Sequence, residues 1–288
     1  MCYKILEDID ELKSFFDFMI PTDNYLLPTE SLFLSLAARN KYAERDELKV
    51  NLNKTFMFDR TIVSGKNKNY LWNNLVMALR KLERNEGAYK CKSKESADIL
   101  LDIPNDCFIC YYNVNPIDSV KALLGLKEKI AKIESELWTT TINGTSHENC
   151  IQDINKLHRL AEIEYSKAKS KTRWFDVDLD LERDDANDNN IFGKDDRWIT
   201  AIMRCFCDTL KVGYDMVYVI RSFGGYHIGL NVQLCSKLKK DAPYLLDGLK
   251  NLIEQAGVNA KELKINSNGI VPLPGTLQAG KLVRFVKL

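Results

Sequence analysis

Apolar positions in the first hundred residues recur at helical spacing. Leu71, Leu75, Met77, Leu79 and Leu82 form a stripe of the kind that lines one face of an α-helix. Leu32, Leu34, Leu36 and Ala37 read as the opening of another helix. Residues 1–105 are therefore expected to form a mainly helical subdomain. The run Phe108–Val114 is strand-like and stops at the turn signal Asn115-Pro116. Two helices are expected next, over about 119–137 and 151–169, with Ile151, Ile154, Leu157 and Ala161 on one face of the second. The polar stretch Thr139–Asn149 separates them as a loop. They make a helical insertion, 117–170, within a second unit spanning 106–288.

The pattern then changes. Arg173–Asp178 alternates as a strand, and Asp196 stands where it can cap a helix with Ile199, Ile202, Met203, Phe206 and Leu210 on its apolar face. Met216–Ile220 is a strand, Gly224-Gly225 a turn, and Tyr226–Val232 the returning strand. Leu245, Leu246, Leu249, Leu252 and Ile253 mark a further helix that closes at Gly257. Short strands follow over Glu262–Ile265, Ile270–Leu273 and Lys281–Val286. The fold class is α+β, with a β-α-β-β-α-β core in which the first and third strands are expected to be central neighbours.

Composition changes the picture little. The chain has 288 residues, is 45% hydrophobic and carries a net charge of +1, enough for a large core and without the basic excess common in nucleic-acid binders. A basic groove can still be balanced by acidic ligands. Most of the eight cysteines lie in apolar runs, Cys205 and Cys207 among them, as reduced buried thiols do. Cys107-Phe-Ile-Cys110 has half the spacing of a zinc site, but no second pair follows, so no zinc is expected. With neither a signal peptide nor a long apolar run, a cytoplasmic protein with no membrane partner is expected.

Three segments carry chemistry. In Arg173-Trp-Phe-Asp-Val-Asp-Leu-Asp180, strand alternation puts Asp176, Asp178 and Asp180 on one face and Phe175, Val177 and Leu179 on the buried one. Like charges side by side destabilise a strand, and Mg²⁺ or Mn²⁺ would reverse that sign; a solvated acidic strand end is the plainer alternative. In Arg221-Ser-Phe-Gly-Gly-Tyr-His227, Gly224 and Gly225 allow backbone N–H groups to approach phosphate, with Ser222, His227 and Arg221 as further donors. An ordinary hairpin with a core histidine is the alternative there. In Gly269–Arg284 two prolines and a glycine set a rigid loop, and Lys281 and Arg284 could face a triphosphate. Gly275–Lys281 is not read as a phosphate loop, because Leu282 stands where Ser or Thr is needed.

As a set these segments resemble the archaeo-eukaryotic primase superfamily, specifically its primase-polymerase catalytic domain. Asp176-Val-Asp178, Ser222-Phe-Gly-Gly-Tyr-His227 and Pro272-Leu-Pro-Gly-Thr-Leu-Gln278 match its three motifs in order, and Tyr111-Tyr-Asn-Val-Asn-Pro116 resembles a strand that precedes the core. The likeness covers about 106–288 and leans toward the bacterial CRISPR-associated primase-polymerases. It implies an RRM-like core and DNA-templated nucleotidyl transfer that makes and extends primers on single-stranded DNA. A two-metal site of Mg²⁺ or Mn²⁺ would be held by Asp176, Asp178 and a third acid. Between Gly257 and Pro272 the sole acid is Glu262, which takes that place. Ser222, His227 and the nearby basic residues would orient an NTP or dNTP. Template is expected along Lys167, Lys169, Lys171 and Arg173, with a solvated helix end as the alternative reading of that run. CRISPR adaptation proteins, or a C-terminal accessory domain in a longer parent, are the expected partners. A metal-dependent nuclease or phosphoesterase, and a non-catalytic RRM-like nucleic-acid-binding module, are the other classes; the acidic strand counts against the last.

Overall fold

The computed structural model describes residues 4–38, 56–83, 108–118, 120–122, 124–125, 168–181, 196–237, 242–258, 260–266 and 269–288. Helix α1 (Ile9–Met19) begins where the Asp8 carboxylate accepts from the N–H groups of Asp10 and Glu11, at 3.0 and 2.9 Å. It buries Leu12, Phe15, Phe16 and Met19 along one stripe.

The next elements correct the helical expectation. Residues 32–37 lie in a strand, β1 (Glu30–Ala38), which pairs with β2 (Phe56–Val63). The reason is burial on both sides: every residue from Glu30 to Ala37 is buried. A strand covered on both faces loses its alternation and reads as a continuous apolar run, which periodicity cannot tell from a helix. Helix α2 (Lys68–Glu83) does form, burying Leu71, Leu75, Leu79 and Leu82; Met77 falls off that stripe and is 65% exposed.

Strand β3 (Phe108–Asn113) pairs with β1, Leu34 facing Tyr112 and Leu36 facing Cys110, so strands on both sides of residue 105 share one sheet. β4 (Ile117–Asp118) pairs with the start of β1. Residues 120–122 and 124–125 are helical; the rest of 119–137, and 151–167, lie outside the described residues. Lys169, placed in the second of those helices by its sequence, bridges Ile117 in β fashion.

From β5 (Trp174–Leu181) the chain runs through α3 (Arg197–Leu210), β6 (Val217–Arg221), β7 (Gly225–Asn231), α4 (Val232–Lys237), α5 (Ala242–Gln255) and β8 (Ala260–Asn266). The last segments are β9 (Ile270–Pro272), β10 (Leu277–Gln278), β11 (Lys281–Leu282) and β12 (Arg284–Val286). β9, β10 and β11 complete the first sheet, in the order β11-β10-β3-β1-β2 with β9 on β3 and β4 on β1. The second sheet runs β12-β6-β7-β5-β8, every pair antiparallel. The single strand expected over 281–286 is thus divided between two sheets. It is pinned at Val283, whose N–H donates to the Thr276 carbonyl at 2.9 Å.

One face of the second sheet, with Val177, Leu179, Val219, Ile228 and Leu230, packs on Ile199, Met203 and Phe206 of α3 and Leu249 and Ile253 of α5. Phe175 shares that face but is 40% exposed at the strand's start, against the expectation that it is buried. The opposite face meets α1 at one end: Phe15 lies 6.3 Å from Tyr218, and Phe18 5.8 Å from Trp174, ring to ring. These residues join the core of the first sheet. Burying each such aromatic contributes about 1.5–3 kcal/mol, so the seam fixes that face against the rest of the molecule and leaves its far end open.

Candidate functional site

β5 lies between β7 and β8, and the register decides what its acids face. Opposite Asp176, Asp178 and Asp180, β7 places Gly229, His227 and Gly225, while β8 places Asn266, Lys264 and Glu262. By strand alternation all of these share the face turned away from α3 and α5.

Asp176 is 1% exposed. The Tyr218 hydroxyl donates to its Oδ1 at 2.9 Å, the Asn266 amide donates to Oδ2 at 2.7 Å, and His227 Nδ1 stands 2.9 Å from Oδ2. Tyr218 reaches it because Gly229 has no side chain: a Cβ there would lie 1.8 Å from the Tyr218 ring. Burial, and then the Asp176 charge, push the Tyr218 hydroxyl well above its usual range, so it stays a donor.

His227 Nε2 points to Asp178, 3.7 Å from Oδ1. Burial favours the neutral imidazole, but Asp176, Asp178 and Asp180 outweigh it and raise its pKa. The Asp178 carboxyl is also raised: burial leads, Asp180 and Asp176 add to it, and His227 and Lys264 oppose it. Lys264 sits 2.6 Å from Glu262 Oε2 and 3.9 Å from Asp180 Oδ2; the Glu262 hydrogen bond raises its pKa.

The Ser222 and Phe223 donors of the turn before β7 are engaged within the protein. The Ser222 N–H donates to the Gly225 carbonyl at 2.8 Å and its hydroxyl to the same oxygen at 3.3 Å. The Phe223 N–H donates to Gln278 Oε1 at 3.0 Å, tying the turn to β10. Gly225 is required by crowding, since a Cβ would fall 1.9 Å from the Leu179 carbonyl oxygen. Gly224 lies against Asp180, whose Oδ1 would be 3.1 Å from a Cβ.

The fold separates other expected members. Arg221 pairs in register with Tyr226 and Arg284, on the helix-covered face opposite His227. Its guanidinium reaches Asp196 at 3.2 Å, and Asp196 also accepts from the Tyr226 hydroxyl at 2.9 Å. Asp196 therefore precedes α3 without a side-chain capping bond. Lys281 belongs to the first sheet, opposite Gln278. Arg173 is 2.5 Å from Glu30 and lies 4.7 Å over the Tyr25 ring, so it holds the entrance to β5. Lys167 and Cys107 lie outside the described residues. Cys110 and Cys207 are buried thiols pushed up to about 12 and about 11 by burial, whereas Cys205 is exposed.

Sequence reasoning missed Tyr218, Gly229, Lys264, Asn266 and Gln278. The signal for the first four is alternation: Tyr218 is two residues before Ile220, the register partner of His227, and Gly229 is two after His227, while Lys264 and Asn266 continue the side that begins with Glu262. Among the described residues no group of three or more His, Cys, Asp or Glu gathers as a metal cage, and no helix is long and apolar enough to cross a membrane. The chain matches no protein-family model, no curated protein and no solved structure.

Proposed function

We propose that the chain is a primase-polymerase with an RRM-like catalytic core, which joins nucleotides on a single-stranded DNA template in the cytoplasm. The observation that carries the reading is the direct pairing of Asp178 with His227 on adjacent central strands, with Gly224 against Asp180. Two separated sequence motifs thereby meet on one sheet face, and Gln278 of the third reaches the second from the other sheet by accepting from the Phe223 N–H. The strand order, with the first and third strands of the β-α-β-β-α-β unit side by side and the fourth on the other flank of the first, supports the same fold. The likeness to CRISPR-associated members, with their adaptation proteins as partners, rests on the motifs alone.

The three expected metal ligands fit a divalent cation in part. Asp178 and Asp180 have side chains 25% and 37% exposed on the open end of the face, with Glu262 opposite Asp180. The Asp178 carboxyl is raised by burial and by its acidic neighbours, a charge that Mg²⁺ or Mn²⁺ would offset. Asp176 is already met by three donors. A bound cation would supply charge neutralisation for the triphosphate and acidify the attacking hydroxyl. Asp178 and Asp180 would hold it, Glu262 joining after release from Lys264. His227 Nε2, at the same end, would donate to a phosphate oxygen. Lys264, beside Asp178 and Asp180, adds positive charge that sequence reasoning did not assign.

A second reading is favoured by one feature. The strand beside Asp176 and Asp178 carries an amide and an ammonium, Asn266 and Lys264, rather than acids. That pattern suits a nucleotide-binding module that transfers nothing. A gel assay separates the readings: single-stranded template, annealed or absent primer, all ribo- and deoxynucleotides, and Mn²⁺ or Mg²⁺. Lengthened product that requires nucleotides supports the polymerase. Shortened DNA without nucleotides points to a nuclease, and nucleotide binding without product to the non-catalytic module.

A further inference from the structure

The carboxylate of Asp176 is the most enclosed polar group of the acidic face, and its partners are built for it. Tyr218 is fully buried and spends its hydroxyl there. Gly229 exists in the form the Tyr218 ring requires. Asn266 bridges Asp176 Oδ2 and the Ile270 carbonyl, 2.7 and 2.8 Å away, so its amide N–H groups are committed. His227 completes the set through Nδ1. The three donors take three of the carboxylate's roughly four acceptor positions, and with Asp176 only 1% exposed a cation could reach the remaining one on Oδ1 only by opening this packing.

We propose that Asp176 is a positioning residue and takes no metal: it anchors His227 through Nδ1, so that Nε2 stays directed at Asp178 and the open end of the face. The chemistry is that of a histidine whose working nitrogen is set by the bond its other nitrogen makes. Without Asp176 the ring is free to turn about its Cβ–Cγ bond, which puts Cε1 where Nε2 stood and takes Nδ1 away from the carboxylate. Tyr218 and Asn266 hold the carboxylate, the carboxylate holds the ring, and Asp178 remains as the acid nearest Nε2. This rests on the nucleotidyl-transfer reading only for what Nε2 serves; the Asp176–His227 bond is testable without turnover.

The test is imidazole ¹⁵N and ¹H NMR on the full chain with the other two histidines replaced, His147→Gln and His158→Gln. The expected result is a hydrogen-bonded Nδ1–H resonance from His227 that millimolar Mg²⁺ leaves in place, and that moves to the position of an unconstrained imidazole in Asp176→Asn. In parallel, Asp178→Asn should weaken Mn²⁺ binding about tenfold or more while Asp176→Asn changes it by less than about threefold, as the loss of a direct ligand differs from the loss of a positioning group. A His227 signal indifferent to Asp176→Asn overturns the proposal. So does Mg²⁺ that abolishes the Nδ1–H resonance of the unmutated site, a measurement that needs no folded Asp176 variant. If Mn²⁺ binds neither variant nor the parent, the metal-dependent function fails while the NMR result still decides the role of Asp176.

Discussion

Asp176 and Asp178 are two residues apart on one strand, yet their surroundings give them different work. One is enclosed by three donors; the other has an imidazole nitrogen 3.7 Å away and an open side. Asp178→Asn is expected to lower nucleotide transfer by about 10²-fold or more, the scale of removing one preorganised charge from a transition state, with thermal unfolding unchanged. Activity close to the parent's in the gel assay would remove Asp178 from the chemistry. Gly229→Ala has the reverse profile. Its Cβ would overlap the Tyr218 ring at 1.8 Å, so urea denaturation should reveal a loss of about 1–3 kcal/mol. An unchanged midpoint would mean that the ring has room to move. The acids and His227 were legible in the sequence because their charge is uncommon in a strand. Tyr218, Asn266 and Gly229 were not, because a phenol, an amide and a glycine are ordinary strand residues until the register places them beside a carboxylate.

Among the elements, β1 was the least legible. Nothing in Leu32, Leu34, Leu36 and Ala37 distinguishes a doubly buried strand from a helix, whereas β5, with one open polar face, kept its alternation. The clue to β1 is its first residue. Glu30 is buried, yet accepts from the Leu27 N–H, from Ser170 and from Arg173 at the entrance to β5. Burial alone would raise its carboxyl; the hydrogen bonds from Ser170, Leu27 and Arg173, with the Arg173 charge, outweigh that and hold it below the ordinary carboxylate range. A carboxyl lowered by folding contributes stability above its unfolded pKa and loses that contribution as pH falls through its folded value. Acidification below the ordinary value of 4.5 should therefore remove this contribution and lower the stability of the parent progressively. In Glu30→Gln, less stable at neutral pH, that part of the acid dependence should be missing. Parallel pH–stability curves for the two would show that the Glu30 cluster contributes nothing through its charge.

At the scale of the molecule, the two sheets are joined by the segment that leads into α1. The Glu7 and Asp8 N–H groups both donate to the Gly275 carbonyl, at 2.9 and 3.0 Å, and the Leu277 N–H donates to the Ile5 carbonyl at 2.9 Å. Gly275 has φ of +81°, and a Cβ on it would fall 2.4 Å from the Asp8 carbonyl oxygen. Gly275→Ala is expected to cost about 2 kcal/mol or more, from the backbone conformation and the overlap together, and to lower the melting of both sheets at once; loss confined to one sheet by hydrogen exchange would show that they are independent. This closure also has a consequence in time. A ribosome delivers residues one after another, at roughly 5–20 per second. The strands β5 to β8 lie close in sequence and can pair as soon as they emerge, but β3 waits for β9 and β10, and residues 5–8 wait for 275–277. Nascent chains stalled with β8 outside the tunnel should already protect the amides of β5 and β7 from exchange, while the edge of β3 that meets β9 and β10, and residues 5–8, remain open until residues 270–278 have emerged.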